Sequence, residues 1–91
     1  MAYIQVRQTV ENYETWKTGF DLGAAMRTAN GATGETYVMR NADNPNEVVV
    51  TLGWSDLDQA RQFAASPELK ESMKKAGVIG RPEVLFLNPA N

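Results

Sequence analysis

Arg27, Tyr37 and Asp21 are the polar side chains whose type and spacing suit chemistry best. Arg27 follows Phe20 by seven residues and Ala24 by three, which on a helix returns it to the same apolar face. A cation aimed inward binds a carboxylate or an enolate oxygen. The same position also suits a cation that compensates a helix C-terminus while its stem lies over the core. Tyr37 stands in an alternating stretch that is expected to carry its phenol inward, within reach of a ligand carbonyl. Asp21 is a candidate general base if it is buried. Lys17, four residues earlier, makes a solvated ion pair the competing arrangement.

Trp16, Phe20, Met39, Trp54, Phe63 and Phe86 have the size to line a pocket for a flat ligand, with Tyr37 among them. The plain alternative for each is ordinary hydrophobic core. The sequence has no Cys and no His. A thiolate nucleophile, a Cys/His zinc site, haem held by His and a Ser-His-Asp arrangement are therefore excluded. Acid–base chemistry falls to carboxylates, Lys, Tyr or the substrate itself. Gly31, Gly34, Gly53, Gly77 and Gly80 do not have phosphate-loop spacing. The oxygen-rich run Asp43-Asn44-Pro45-Asn46-Glu47 reads as a turn rather than a calcium loop. Neither a metal nor a cofactor is expected.

The elements that position these residues follow from periodicity. Ala2–Val10 alternates, with Ile4, Val6 and Val10 on one side. Asn12 offers an N-cap, and Tyr13, Trp16, Phe20 and Ala24 fall on one helical face as far as a stop near Asn30-Gly31. Gly34–Arg40 reads as a second strand, with Tyr37 and Met39 on one side and Val38 on the other. Glu47–Trp54 is apolar on both sides around Val48-Val49-Val50 and reads as a central strand. Ser55-Asp56-Leu57-Asp58 has capping-box form before a second helix, which restarts at Ser66-Pro67 and stops at Gly77. Pro82–Leu87 is the last strand. The order β-α-β-β-α-β predicts an α+β, ferredoxin-like split βαβ fold with a four-stranded antiparallel sheet, one domain over residues 1–91.

Right-handed crossovers place both helices on one sheet face. The other face is left open, and an exposed apolar face usually marks an interface. A domain of this length buries only about 60–65% of its unfolded surface, so a partner would help it. A homodimer closed through the open sheet face is the expected assembly. The formal charge is −2 with no basic cluster, which argues against nucleic acid. No apolar run approaches the ~20 residues of a membrane span, and the N-terminus lacks a signal-peptide core. A cytoplasmic location is expected.

Several segments are similar to a known family: Tyr13–Asp21 with Arg27, Asn44–Val50, Trp54–Arg61, Ser66–Leu69 and Ala76–Pro82. In these the chain resembles the dimeric α+β barrel superfamily, in particular its small antibiotic-biosynthesis-monooxygenase-like and "cyclase" members. The resemblance implies a homodimer that binds a small aromatic or polyketide-like molecule in an apolar pocket. It further implies cofactor-independent oxidation or cyclisation, with the substrate supplying its own electrons to oxygen. Relatives often carry a His near the position of Gly23, which this chain lacks. A non-catalytic ligand-binding dimer and a structural, stress-type dimer with a filled core are the alternatives.

Overall fold

The computed structural model describes residues 1–90. Its elements run β1 (Ala2–Val10), α1 (Tyr13–Leu22), α2 (Ala24–Ala29), β2 (Ala32–Arg40), β3 (Glu47–Trp54), α3 (Leu57–Ala64), α4 (Pro67–Lys75) and β4 (Val78–Leu87). The strands form one antiparallel sheet in the order β2-β3-β1-β4. This is the ferredoxin-like α+β arrangement expected from the sequence. No helix among the described residues is long and apolar enough to cross a membrane.

Side-chain caps set where the helices begin. Asn12 accepts the Thr15 N–H at 3.0 Å, and Ser66 accepts the Leu69 N–H at 3.2 Å with Pro67 in the first turn. At α3 the cap is Asp56, which accepts the Gln59 N–H at 2.8 Å. Ser55, the expected capping residue, instead donates its hydroxyl to the Gln59 side chain.

Three element boundaries differ from expectation. The first helix is two helices, because the Gly23 N–H bonds to both Gly19 O (3.2 Å) and Phe20 O (3.1 Å). That pairing tightens the turn, and glycine lowers the cost of breaking a helix there. Strand β2 begins at Ala32 rather than Gly34, with a register shift before Thr36 around Gly34 at φ 95°. Strand β4 begins at Val78 rather than Pro82. Its pairing with β1 is interrupted between Arg7 and Thr9, so an alternating pattern does not reveal its first half.

The core lies between the helices and one sheet face. Ile4, Val6, Val10, Val48, Val50, Leu52 and Trp54 supply the sheet side, and Trp16, Ala60 and Phe63 the helix side. Strand parity then fixes the open face. Tyr37 pairs with Thr51 and Met39 with Val49, on the side away from the helices, while Val38 pairs with buried Val50. The expectation that Tyr37 points inward is therefore corrected: its phenol is on the open face, about half exposed. Met39 goes with it. Alternation identifies which residues share a side, and a choice of the wrong side moves every one of them.

Leu85 and Leu87 also face the open side, through their pairing with Gln5 and Tyr3. Polar pairs are interleaved with these apolar groups. The Tyr3 and Tyr37 hydroxyls donate to the two oxygens of Glu35, each at 2.7 Å, and Arg7 meets Glu47 at 2.8 Å. The two phenols hold the Glu35 carboxyl below its ordinary range, and the same contacts push both phenols up.

Candidate functional site

A cavity of about 420 Å³ lies between the helix layer and the buried sheet face. Its floor is the inward row of the central strands: Ile4, Val6 and Gln8 from β1, Val50 and Leu52 from β3, with Pro82 and Val84 from β4. Trp16 and Phe20 of α1 form one wall, stacked with ring centroids 5.0 Å apart and planes 22° apart. They meet there because a spacing of four residues places them on the same helical face. Phe63 of α3 with Leu69 and Met73 of α4 form the other wall. On one side α1 meets the end of α4: an added Cβ at Gly19 would lie 3.2 Å from the Ala76 Cβ, so a larger residue would push these two helix segments apart.

Of the candidate site residues, the cavity brings together Trp16, Phe20, Phe63 and Arg27. Trp54 is fully buried behind Phe63, with centroids 4.7 Å apart, and its indole N–H donates to Asn30 O at 2.9 Å. Phe86 packs on the core beside Ile4, and the Arg61 guanidinium covers its ring at 4.8 Å. Trp54 and Phe86 thus support the site from outside its lining. Tyr37 and Met39 are across the sheet from it. Asp21 is on the exposed flank of α1, where the Lys17 ammonium grips its oxygens at 2.7 and 2.9 Å, away from the lining. That is the ion pair which spacing offered as the alternative to a buried base.

Arg27 is at the cavity because α2 starts anew after Gly23. Its guanidinium stacks on the Phe20 ring at 3.9 Å and donates to Phe20 O at 2.8 Å, a carbonyl next to the break. An added Cβ at Gly23 would come 3.1 Å from Arg27 Nη1, so the glycine leaves the guanidinium its room. Loss of hydration pushes the Arg27 pKa down, and the nearby Asp21 charge opposes that shift. A guanidinium has five N–H donors, so Arg27 can still meet an anion while it holds Phe20.

Gln8 was not among the candidates, yet it lines the floor and is only 6% exposed. Its signal was in the alternation. The period that turns Ile4, Val6 and Val10 inward turns Gln8 inward as well. Lys70 and Ser72 complete the polar lining, and no Asp or Glu lines the cavity among the described residues. No cluster of three acids that could hold a metal occurs among the described residues either. The arrangement offers a ligand an aromatic and aliphatic surface and presents cations and an amide to it.

No family profile matches the sequence, and no curated protein matches it. Solved structures do match. SnoaB, a cofactor-independent oxygenase from Streptomyces nogalater, superposes with a TM-score of 0.77 at 20% identity, over 99% of this chain and 93% of that one. A protein classed with the antibiotic biosynthesis monooxygenases from Bordetella bronchiseptica gives 0.79 at 16% identity, over 99% and 97%. A similarly classed protein from Caulobacter crescentus gives 0.74 at 14% identity, over 99% and 90%. The chain has the antibiotic biosynthesis monooxygenase fold. Within that fold its cavity lies between the helices and the buried sheet face, and its four-residue α1 spacing supplies the aromatic wall.

Proposed function

We propose that this chain binds a small flat aromatic or polyketide-like molecule in the cavity and acts on it as a cofactor-independent monooxygenase or cyclase. The observation that carries the reading is the stacked Trp16–Phe20 wall over a cavity of about 420 Å³, within the size range of small-molecule sites. The oxygenase activity of SnoaB, a protein of the same fold, supports it. Substrate oxidation then proceeds on the substrate's own electrons. Conversion of an anthrone methylene to a carbonyl uses one O2 and releases one water, with both hydrogens from the substrate. The protein orients the ring and keeps water out, and Arg27 stabilises the enolate oxygen that forms as the substrate loses a proton. The chain works as a cytoplasmic homodimer, the partner covering Met39, Leu85 and Leu87 on the open face.

Oxygen consumption with a panel of phenols and anthrones tests this. Wild-type turnover is expected, with Arg27→Ala lowering kcat/KM by about 10- to 100-fold, the scale of one lost charge-assisted contact. Tyr37→Phe is expected to leave the per-site rate unchanged. Absence of turnover by the wild type rejects the enzyme. It then leaves the second reading, a non-catalytic ligand-binding dimer, which the lack of a carboxylate base in the described lining favours.

A further inference from the structure

Gln8 is a buried amide with an unmet hydrogen-bond requirement. Its Oε1 is shielded from solvent and has no partner among the described residues. Buried polar atoms are nearly always paired, so an orphan of this kind calls for a physical cause. The local backbone supplies one. On the β3 side Gln8 faces Val48, which is apolar and fully buried. On the β4 side the ladder is interrupted: Arg7 pairs with Glu83 and Thr9 with Ile79, leaving Gly80-Arg81-Pro82 opposite Gln8 alone. Gly80 takes φ 70°, and Pro82, which reaches the cavity, has no N–H to offer. Bulges of this kind re-aim a side chain next to functional sites. Val48 has no polar group to give the amide, and no hydrogen bond reaches Oε1 from Gly80 or Arg81. Gln8 borders the apolar cavity and also, at the bulge, a polar pocket of about 150 Å³ shared with Arg7, Arg81 and Glu83.

A purely structural residue at this position would be better apolar, since replacing an orphaned polar group removes the cost of having desolvated it. Retention of a destabilising group in a pocket is the usual mark of function. The geometry points to Gln8 as the residue that determines specificity in this cavity: it selects a flat aromatic bearing a hydroxyl over the same ring without one. A hydroxyl both donates to Oε1 and accepts from Nε2, so it satisfies the amide in either orientation. The inference rests on the proposed aromatic ligand and adds which group of that ligand is read from the sheet side.

Isothermal titration calorimetry with 2-naphthol and 2-methylnaphthalene, rings of equal size, tests it. Wild-type protein is expected to bind 2-naphthol about tenfold more tightly, the value of one buried hydrogen bond. Gln8→Met, an unbranched side chain of matching length, is expected to abolish that preference, retain 2-methylnaphthalene and raise Tm. Gln8→Leu serves if Met is not tolerated. Equal wild-type affinity for the two rings overturns the role of Gln8 while the aromatic cavity stands. So does a preference that survives the substitution. Failure of both rings to bind overturns the cavity reading and this inference together. A chain that folds with neither substitution shows the amide to be structural, which also overturns it.

Discussion

Tyr3, Glu35 and Tyr37 form a clamp in which one carboxylate accepts two phenols from neighbouring regions of the open face. The sign of its pH response follows from the direction of each shift. The Glu35 pKa is depressed in the folded chain, so its contribution is present above the unfolded glutamate pKa and is lost as pH falls through the folded value. The Tyr3 and Tyr37 pKa values are raised, so their contribution is present below the unfolded tyrosine pKa and is lost as pH rises through the folded values. The clamp is therefore strongest between the carboxylate and phenol ranges. In Glu35→Gln, ultraviolet titration is expected to show the Tyr3 and Tyr37 phenols ionising at lower pH than in the wild type. Unchanged titration would mean that the clamp does not persist in solution. Individual side chains differed in how readily they could be found. Arg27 was visible from its return to the face of Phe20. Gln8 obeys the same alternation as its apolar neighbours, but an amide in that row does not by itself mark a site. Tyr37 was misplaced because two side chains on one side of a strand do not say which side the helices cover.

Element boundaries depend on local hydrogen bonds that composition alone does not rank. Ser55 and Asp56 are both good capping residues, and the chain uses Asp56. Asp56→Ala is expected to cost about 1 kcal/mol of stability in chemical denaturation, and Ser55→Ala distinctly less. The reverse order would place the start of α3 one residue earlier. The break at Gly23 is harder to read. A glycine inside a helical pattern is often tolerated, and only the bifurcated bond from its N–H to Gly19 and Phe20 ends α1 there. That break matters to the site, because the Phe20 carbonyl beside it accepts from both the Gly23 N–H and the Arg27 guanidinium. The first half of β4 was hidden for a related reason. Gly80 and Pro82 both argue against a strand, and they occur here in a strand that lapses and resumes.

At the scale of the molecule, the element order β-α-β-β-α-β was enough for the ferredoxin-like sheet, and Val48-Val49-Val50 marked β3 as a central strand, which the order β2-β3-β1-β4 bears out. The cavity was not, because packing density is a property of side chains in three dimensions rather than of their periodicity. Its ceiling has a further consequence. It is assembled from short helices, none longer than 10 residues, and the six-residue α2 buries none of its own side chains. A helix that short has little stability apart from its neighbours. Segments of this kind open locally long before the whole chain unfolds. Hydrogen–deuterium exchange is expected to be fastest, among the helices, at the amides of residues 24–29 and slowest in β1 and β3. For a cavity that takes the proposed ligand, the breathing of this turn and a half of backbone over a firmer sheet is expected to set the residence time, making it a property of α2 rather than of the fold.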